Sequence, residues 1–459
     1  MASEVTGPGA AGAEGSADED LTVQEALELA LDVQRRGYLQ SADEIYQRIL
    51  SAAPDHTDAL HFMALGRYRM GRGAEAVEML SLVLARDPAN IHARNNLGNI
   101  LSEGGQVEAA RQMYEGVLAQ NPPFPAARAN LGALLRKQGD LGGAEAAFRE
   151  ALTLDPDHAS ALHNLGSLLW DLDRISEALT FYQRALVLVP YDGESYRRVG
   201  ASLAVLGRVD ESLAVFRRWL ELEPQSELAR HMLAACSGVD VPGRASDGFV
   251  EKTFDMFAES FDAVLARLDY RAPALVAGAV EVALGAPAAT LDVLDAGAGT
   301  GLCGPALRPY ARRLVGIDLS MKMLEKARVR AVYDELVPVE LTAFMRANPR
   351  AYDLITSADT LCYFGDLAEA LAGAAGALRP GGHLVFTVER TPAGEESAYR
   401  LNPHGRYSHG DAYVRRALAT AGLVLVTMDR ANLRIENKSA VDGLVVTARL
   451  GAAAPGDVA

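Results

Sequence analysis

Small and large hydrophobic residues recur with a fixed pitch through the first half of the chain. Six prolines follow one another at steps of 34 residues, since 88 − 54 = 34 and every later step is the same: Pro54, Pro88, Pro122, Pro156, Pro190 and Pro224. Twelve residues before each proline is a small residue: Ala42, Ala76, Ala110, Ala144, Ala178 and Ser212. Eight residues before each is a large apolar one: Tyr46, Leu80, Tyr114, Phe148, Tyr182 and Phe216. Seventeen residues before each is a turn residue: Gly37, Gly71, Gly105, Gly139, Asp173 and Gly207.

A pair of packed helices accounts for this pattern. Glycine ends the first helix, and the small residue lets the second helix approach it closely. The large apolar residue four positions on fills the seam, and proline closes the second helix because it cannot continue one. The pattern predicts six helix pairs over residues 23–226. A further helix is predicted at 227–236, covering the apolar face of the last pair.

These positions resemble those of the tetratricopeptide repeat. The resemblance implies an α-solenoid with a concave groove that binds a protein or peptide. Asn96, Asn130 and Asn164 share one repeat position, in a pattern similar to the asparagine ladder of the O-GlcNAc transferase family. Such amides can bond an extended peptide backbone. The ladder is interrupted at Phe62 and Arg198, and the alternative is that the asparagines satisfy neighbouring helix ends.

The second half of the chain has a different pattern, in which short apolar runs alternate with helical stretches. This alternation predicts an α/β domain with a mostly parallel sheet, whose ligand binds at the carboxyl ends of the strands. The strand candidates are Leu291–Ala296, Leu314–Asp318, Leu336–Leu341, Asp353–Ser357, His383–Glu389, Leu423–Met428 and Gly443–Ala448.

The first of these strands ends in a glycine-rich turn. Gly297, Gly299 and Gly301 allow a ligand to approach the backbone, and Asp295 precedes them. Asp318 ends the second strand, where a carboxylate accepts from ribose hydroxyls. A dinucleotide and S-adenosylmethionine both fit this arrangement. Asp295 favours the second, because it suits the ammonium of a methionine moiety and opposes a pyrophosphate.

Three stretches resemble class I methyltransferases: Ile317–Leu324, Tyr352–Phe364 and Ala377–Glu389. The resemblance implies a Rossmann-like domain with a seven-stranded, mostly parallel sheet and S-adenosylmethionine as cofactor. More narrowly, FVEKTFDMFAESFD, LDAGAGTGLCGPALRPYARRLVGIDLS and YRLNPHGRYSHGDAYV resemble a group of bacterial methyltransferases with N-terminal tetratricopeptide repeats. That resemblance names a reaction and leaves the acceptor open.

The resemblance also implies roles for individual residues. The three glycines line the methionine and ribose part of the cofactor, and Asp318 holds the ribose. Met323 and Leu324 cover the adenine, and Glu340 stands where the family often has an aspartate that accepts from the adenine amino group. Asp359, after the fourth strand, faces the methionine amino group or the substrate.

Fewer sequence patterns point to residues that contact the methyl acceptor. Tyr363, Tyr407 and His409 are the catalytic candidates, because methyl transfer to nitrogen or oxygen often needs a base and a positioned acceptor. The stretch GRYSHGDAY is polar and aromatic and could form the acceptor pocket. The alternatives are that Tyr407 packs in the interior and that His409 satisfies a carbonyl. No pattern of metal ligands is evident.

Composition narrows the possible partners. There are 44 Lys+Arg against 60 Asp+Glu, a formal charge of −16 that disfavours broad binding to nucleic acid or anionic membrane. Three cysteines are too few and scattered for a disulfide framework or a zinc site. Without a secretory signal or a membrane-spanning stretch, we expect a cytoplasmic protein. The expected function is methylation of a protein or peptide; the alternatives are methylation of a small molecule or glycan, and a non-catalytic scaffold.

The predicted organisation has five parts. They are a disordered acidic tail at 1–20, six repeats with a covering helix at 21–236, a linker at 237–248, a methyltransferase domain at 249–450 and a disordered tail at 451–459.

Overall fold

The fold comes from a computed structural model of the chain. It describes residues 21–121, 123–258, 261–392, 394, 397–436 and 439–451. Pro122, the tail predicted at 1–20 and residues 452–459 of the tail predicted at 451–459 lie outside the described residues. The chain divides into two compact units, one up to Leu168 and one from Leu169 onward. The predicted domain boundaries remain a prediction, because the division into two units does not fall at the predicted boundary between the repeats and the methyltransferase domain.

The first unit consists of paired helices, as the 34-residue pitch predicts. Their bounds are α1 Val23–Arg35, α2 Leu39–Ala52, α3 Thr57–Arg69, α4 Gly73–Arg86, α5 Ile91–Glu103, α6 Val107–Gln120, α7 Pro125–Lys137, α8 Leu141–Leu154 and α9 Ala159–Asp171. The division into units falls inside α9. The seams are close: a Cβ added at Gly98 would lie 2.7 Å from the ring of Tyr114, and one at Gly132 would lie 2.8 Å from Phe148. The large residue of the second helix therefore packs directly on the backbone of the first.

The second unit begins with the remaining repeat helices. They are α10 Ile175–Leu188, α11 Gly193–Val205 and α12 Val209–Leu222, followed by the covering helix α13 Glu227–Ser237. Three helices then precede the sheet: α14 Asp247–Phe257, α15 Phe261–Arg267 and α16 Ala272–Leu284. Asp173 takes the place of the turn glycine before α10 and adopts a positive φ of 61°. The substitution for glycine therefore does not change the form of the turn.

One mixed sheet organises the rest of this unit. Its strands are β1 Leu291–Ala296, β2 Ala311–Asp318, β3 Glu335–Pro338, β4 Tyr352–Ser357, β5 Leu378–Arg390, β6 Tyr399–Leu401, β7 Tyr407–His409, β8 Leu423–Glu436 and β9 Ser439–Leu450. The order is β3-β2-β1-β4-β5, after which β5 pairs with both β7 and β9. The pairs from β3 to β5 are parallel, whereas β9 runs antiparallel to β5 and β8.

All seven predicted strands are present, and the α/β fold is confirmed. The sheet has two further strands among the described residues, β6 and β7, which form a short antiparallel hairpin. The polar stretch predicted to line an acceptor pocket is therefore partly strand. Three-residue strands carry no alternation of apolar and polar positions long enough to be recognised.

Helices cover both faces of the sheet, which explains why nearly all residues of the central strands β1 and β4 are buried. The remaining helices are α17 Gly304–Leu307, α18 Met321–Val329, α19 Leu341–Ala347, α20 Ala368–Ala377 and α21 Asp411–Thr420. Leu294 and Ile355 pack with α19, α20 and α21 on one face. Val293 and Leu354 pack with α16 and α17 on the other. Among the described helices, none combines the length and apolar character needed to cross a membrane.

Candidate functional site

The glycine loop begins at the carboxyl end of β1. Gly297, Gly299 and Gly301 all have positive φ, at 81°, 54° and 82°. A Cβ at Gly297 would collide with Thr360, and one at Gly301 would lie 3.0 Å from the ring of Tyr333. A Cβ at Gly299 would meet no atom within 4 Å. Packing against the protein thus explains the first and third glycines, while the backbone of Gly299 faces open space that a ligand can enter.

Asp318 ends β2 beside this loop. One carboxylate oxygen accepts from the Gly299 N–H at 2.9 Å, and the other accepts from the Ser320 N–H at 2.9 Å. Burial raises the pKa of Asp318 above its usual value, and the backbone donors offset only part of this rise. The carboxylate is therefore fixed against the glycine loop at the edge where the sequence predicts the ribose.

Asp295 has a different environment from the one that the sequence suggests. Its side chain is only 1% exposed. One oxygen accepts from the Tyr333 hydroxyl at 2.7 Å and the other from the Thr356 hydroxyl at 3.2 Å. Burial raises the pKa of Asp295 to about 6, against the opposing effect of these hydroxyls. Both oxygens thus have partners in the protein, and the carboxylate does not face the open side of the loop.

Tyr333 is a residue that the sequence reasoning missed. Besides donating to Asp295, its ring lies 2.8 Å from the position of a Cβ on Gly304 and 2.9 Å from one on Gly316. The ring fills the space behind the loop that these glycines leave. A glycine at mid-strand in β2 was the one available signal, because it often marks close approach of another group.

The residues predicted at the adenine are engaged in local structure. Met323 and Leu324 are fully buried. Glu340 caps α19, where one carboxylate oxygen accepts from the Ala343 N–H at 2.7 Å. Its other oxygen lies 3.6 Å from a guanidinium nitrogen of Arg244. The contact of Glu340 with adenine remains a prediction.

Asp359 follows β4 in a left-handed conformation, with φ at 55°. Its N–H donates to the Thr387 hydroxyl at 2.8 Å. Its two carboxylate oxygens accept from one guanidinium nitrogen of Arg434, at 2.9 and 2.7 Å. A positive φ in a non-glycine residue is costly and persists only where the surroundings fix it. The bonds to Thr387 and Arg434 do so here.

Arg434 belongs to a buried ionic network. Its guanidinium also bonds Glu389 and Glu436, and Arg406 bonds the same two carboxylates at 2.6 Å. Burial opposes ionisation of Glu389, but the two guanidinium groups lower its pKa to about 2. With Asp359 the network joins three carboxylates and two arginines. The sequence analysis did not single out Arg434.

The three catalytic candidates are in unlike places. Tyr363 is half-buried in a short turn, Leu361–Tyr363, after β4, and its ring packs edge-on against Phe254 at 5.4 Å. Tyr407 is fully buried and donates to the Pro242 carbonyl at 2.7 Å. His409 is fully buried with Nε2 2.7 Å from the Phe364 carbonyl, and burial lowers its pKa to about 4. Tyr407 and His409 therefore do not reach an acceptor in this conformation, and the packing alternatives describe them better.

Two of the three asparagines of the predicted ladder, Asn96 and Asn130, are bonded to the preceding repeat. Asn96 Nδ2 lies 2.9 Å from His61 Nε2, and Asn130 Nδ2 donates to Asn95 Oδ1 at 3.0 Å. Asn164 is half-buried. The partners are side chains and not the helix ends of the alternative interpretation. Each bonded amide keeps its carbonyl oxygen for another donor, so the short ladder remains a prediction.

Comparison with known proteins agrees with this architecture. The profile of the methyltransferase domain matches residues 294–386, and that of the tetratricopeptide repeat matches 63–125, 95–159, 129–193 and 164–227. The chain carries tetratricopeptide repeats and a class I methyltransferase domain. The family match of the methyltransferase domain contains the glycine loop, Asp318 and Asp359.

Individual relatives resemble this methyltransferase domain. A ubiquinone biosynthesis O-methyltransferase of Serratia proteamaculans is 26% identical over 129 residues, which cover 26% of this chain and 54% of the relative. One of Thiobacillus denitrificans is 31% identical over 156 residues, covering 30% and 66%. The chain spans about half the length of the first curated relatives it matches. The solved 1,6-didemethyltoxoflavin-N1-methyltransferase of Burkholderia thailandensis is 22% identical, covers 46% of this chain and 93% of its own, and has a TM-score of 0.36.

The methyltransferase domain offers no cluster of metal ligands among its described residues. The same holds for every described part of the chain, where no group of three or more His, Cys, Asp or Glu side chains is arranged to hold an ion.

Proposed function

We propose that this protein transfers a methyl group from S-adenosylmethionine to an acceptor that the repeat array recruits. One observation carries the proposal: the Asp318 carboxylate is fixed by the Gly299 N–H at the only glycine of the loop whose added Cβ would meet no atom within 4 Å. A nucleoside with two ribose hydroxyls fits a carboxylate held in this way. The match of the methyltransferase domain profile supports the same cofactor class.

The residues around the loop have different proposed roles in binding the cofactor. Asp318 accepts from the ribose, and the backbone at Gly299 receives the methionine part. Asp295 acts through Tyr333, which packs behind the loop, and so positions the loop instead of contacting the ammonium. On the adenine side we keep Met323 and Glu340 as the proposed contacts; Met323 is fully buried after β2, and Glu340 follows β3.

The bound cofactor supplies an activated methyl group, so the chain has mainly to place an acceptor atom in line with it. Tyr363 and Asp359 are the side chains we assign to the acceptor side, because both follow β4 at the edge that holds the glycine loop. Arg434 holds Asp359 in place through an ion pair of 2.7 Å. Tyr407 and His409 have no part in this assignment, since both are fully buried.

Calorimetry with the Asp318→Ala variant tests the cofactor site. Asp318 makes charge-assisted hydrogen bonds, so its removal should weaken S-adenosylmethionine binding at least about 100-fold. Asp429→Ala is a matched control, because Asp429 is an exposed aspartate of β8. Equal affinities of the two variants and the unmodified chain would contradict the proposed site.

A protein or peptide acceptor is proposed because the array would raise the concentration of its target near the methyltransferase domain. The second candidate is a small molecule. It is favoured by the names of the relatives, which are O-methyltransferases of ubiquinone biosynthesis. A non-catalytic scaffold would bind the cofactor and transfer nothing.

Tritiated S-adenosylmethionine separates these candidates. The full chain is incubated with label and a bacterial lysate, and radioactivity is measured in precipitated protein and in an organic extract. Label in protein supports the first candidate, and label confined to the extract supports the second. Binding without incorporation into either fraction would leave only the scaffold.

A further inference from the structure

The segment predicted as a linker, together with the helices after it, lies along the ligand edge of the sheet. We call residues 241–258 and 261–267 the strap. The Gly243 carbonyl accepts from the N–H groups of Gly365 and Asp366 at 2.9 and 2.7 Å, and the Ala245 N–H donates to the Tyr363 carbonyl at 2.8 Å. The strap is therefore bonded to the loop after β4, next to the proposed acceptor side.

Farther along, the strap contacts the loops after the other parallel strands. Arg244 approaches Glu340 after β3. Asp255 accepts from the Ser320 hydroxyl at 2.6 Å, after β2, where the Ser320 N–H holds Asp318. Asp262 accepts from Thr300 in the glycine loop. The described residues of the strap thus touch the loops that follow all four of the strands β4, β3, β2 and β1.

The other side of the strap rests on the last repeat and the covering helix. Glu227 of α13 accepts from the Ser246 hydroxyl at 3.0 Å. The ring of His231 lies 3.9 Å from that of Phe249. The guanidinium of Arg197, in α11, lies 5.5 Å above the ring of Phe257.

An apolar cluster joins the same elements. Trp219, Leu228 and Met232 of the repeat side pack with Ala245 and Phe249 of the strap. The repeats therefore form the support on which the strap lies.

The strap has little stability of its own. Phe249 is the one buried residue of α14, and α15 has none. Helices of 11 and seven residues are not stable alone in water. Segments with few buried contacts open at low free-energy cost. The position of the strap is consequently set by its bonds to the loops on one side and to the repeats on the other.

We propose that the strap opens for the cofactor to enter and leave, and that Glu227, His231 and Arg197 are positioning residues that hold it closed. The inference rests on the proposed function, because it takes S-adenosylmethionine as the ligand of the edge. It makes the last repeat part of the machinery that retains the cofactor. Anything bound to that repeat that shifts these side chains will change cofactor affinity, and the cofactor will change its binding in return.

Dissociation of tritiated S-adenosylmethionine from the full chain, chased with unlabelled cofactor, tests the inference. Glu227→Ala loses the bond to Ser246, so dissociation should be about three to ten times faster. Glu227→Gln keeps an accepting oxygen and should restore the slow rate. Glu221→Ala is the matched control: Glu221 precedes Glu227 in the chain and pairs with Arg218 at the surface.

Arg197→Gln is a second variant. It removes the guanidinium that lies over the ring of Phe257 in the strap, so it should accelerate dissociation about twofold. Circular dichroism shows whether each variant folds. Equal rates in the unmodified chain, Glu227→Ala and Arg197→Gln would overturn the inference and leave the proposed function standing. Failure of the unmodified chain to bind the cofactor would overturn both.

Discussion

Asp295 at the end of β1 and Glu389 near the end of β5 are both almost wholly buried, 1% and 4% exposed. Their pKa values nevertheless shift in opposite directions. Asp295 has neutral hydroxyl groups as hydrogen-bond partners, so burial prevails and its pKa rises to about 6. Burial also penalises the charge of Glu389, but the guanidinium groups of Arg406 and Arg434 outweigh it and lower its pKa to about 2.

The difference shows that burial sets the cost of a charge while the neighbours decide whether the charge is kept. Near the glycine loop, the protein holds a carboxyl group that can take up a proton close to neutral pH. Between Arg406 and Arg434, it holds a carboxylate, Glu389, whose charge persists through the physiological range. The ionic network therefore depends on its arginines, whereas the Asp295 site depends on pH.

The largest effect should come from removing a guanidinium of the network. Arg434→Met leaves Asp359, Glu389 and Glu436 without their shared partner, and breaking a buried ion pair costs about 3–5 kcal/mol. Urea unfolding at pH 7 measures the loss. Arg312→Met is the control, because Arg312 is exposed and its ion pair with Asp292 should contribute less than about 1 kcal/mol. Similar losses in both variants would show that burial of the network does not matter.

A smaller effect, dependent on pH, is expected at Asp295. Its pKa is raised in the folded state, so ionisation destabilises that state increasingly from about pH 4 to pH 6 and by a constant amount above. Asp295→Asn removes this titration. The free energy of unfolding of the variant, relative to the unmodified chain, should therefore rise by about 2–3 kcal/mol between pH 4 and pH 7. Urea titrations across this range measure it, with the exposed Asp429→Asn expected to give a flat difference.

The smallest effect is expected from Tyr333→Phe. The ring still fills the space behind the glycine loop, but the hydroxyl that donates to Asp295 is lost, at a cost of about 1 kcal/mol. Because that hydroxyl lowers the pKa of Asp295, its loss should raise this pKa, and the pH above which stability stops falling should move above 6. A levelling-off point that stays in place or falls would show that Tyr333 does not control this carboxyl group.

Regular packing was predictable because it repeats. The 34-residue pitch marks the same helix pair six times, and each of the seven predicted strands contains an apolar run long enough to be recognised. The glycine loop and Asp318 were also predictable, since both come directly after strands, where the ends of a parallel sheet converge.

Contacts between distant residues were not predictable from one sequence. Asp359 and Arg434 are separated by 75 positions, and no local pattern pairs them. Polar residues in a motif were also misleading: His409 looks like a base, but a three-residue strand places it in the interior against the Phe364 carbonyl. The first part of the strap resembles a linker in its Gly, Pro and Ser content, and its bonds to the loop after β4 use the backbone groups of Gly243 and Ala245.

The covering helix has a practical consequence for dissecting the protein. Ala234 and Ala235 of α13 pack on Leu401 and Tyr407 of the β6–β7 hairpin, and His231 bonds the Gly405 carbonyl at 2.8 Å. A truncated protein that starts at 249 would expose this apolar hairpin to water and would lack α13, which packs against Phe249. Truncation within α9, near Leu169, would instead keep the hairpin shielded, at the expense of carrying α10, the last repeat and the covering helix into any biochemical study of the catalytic half.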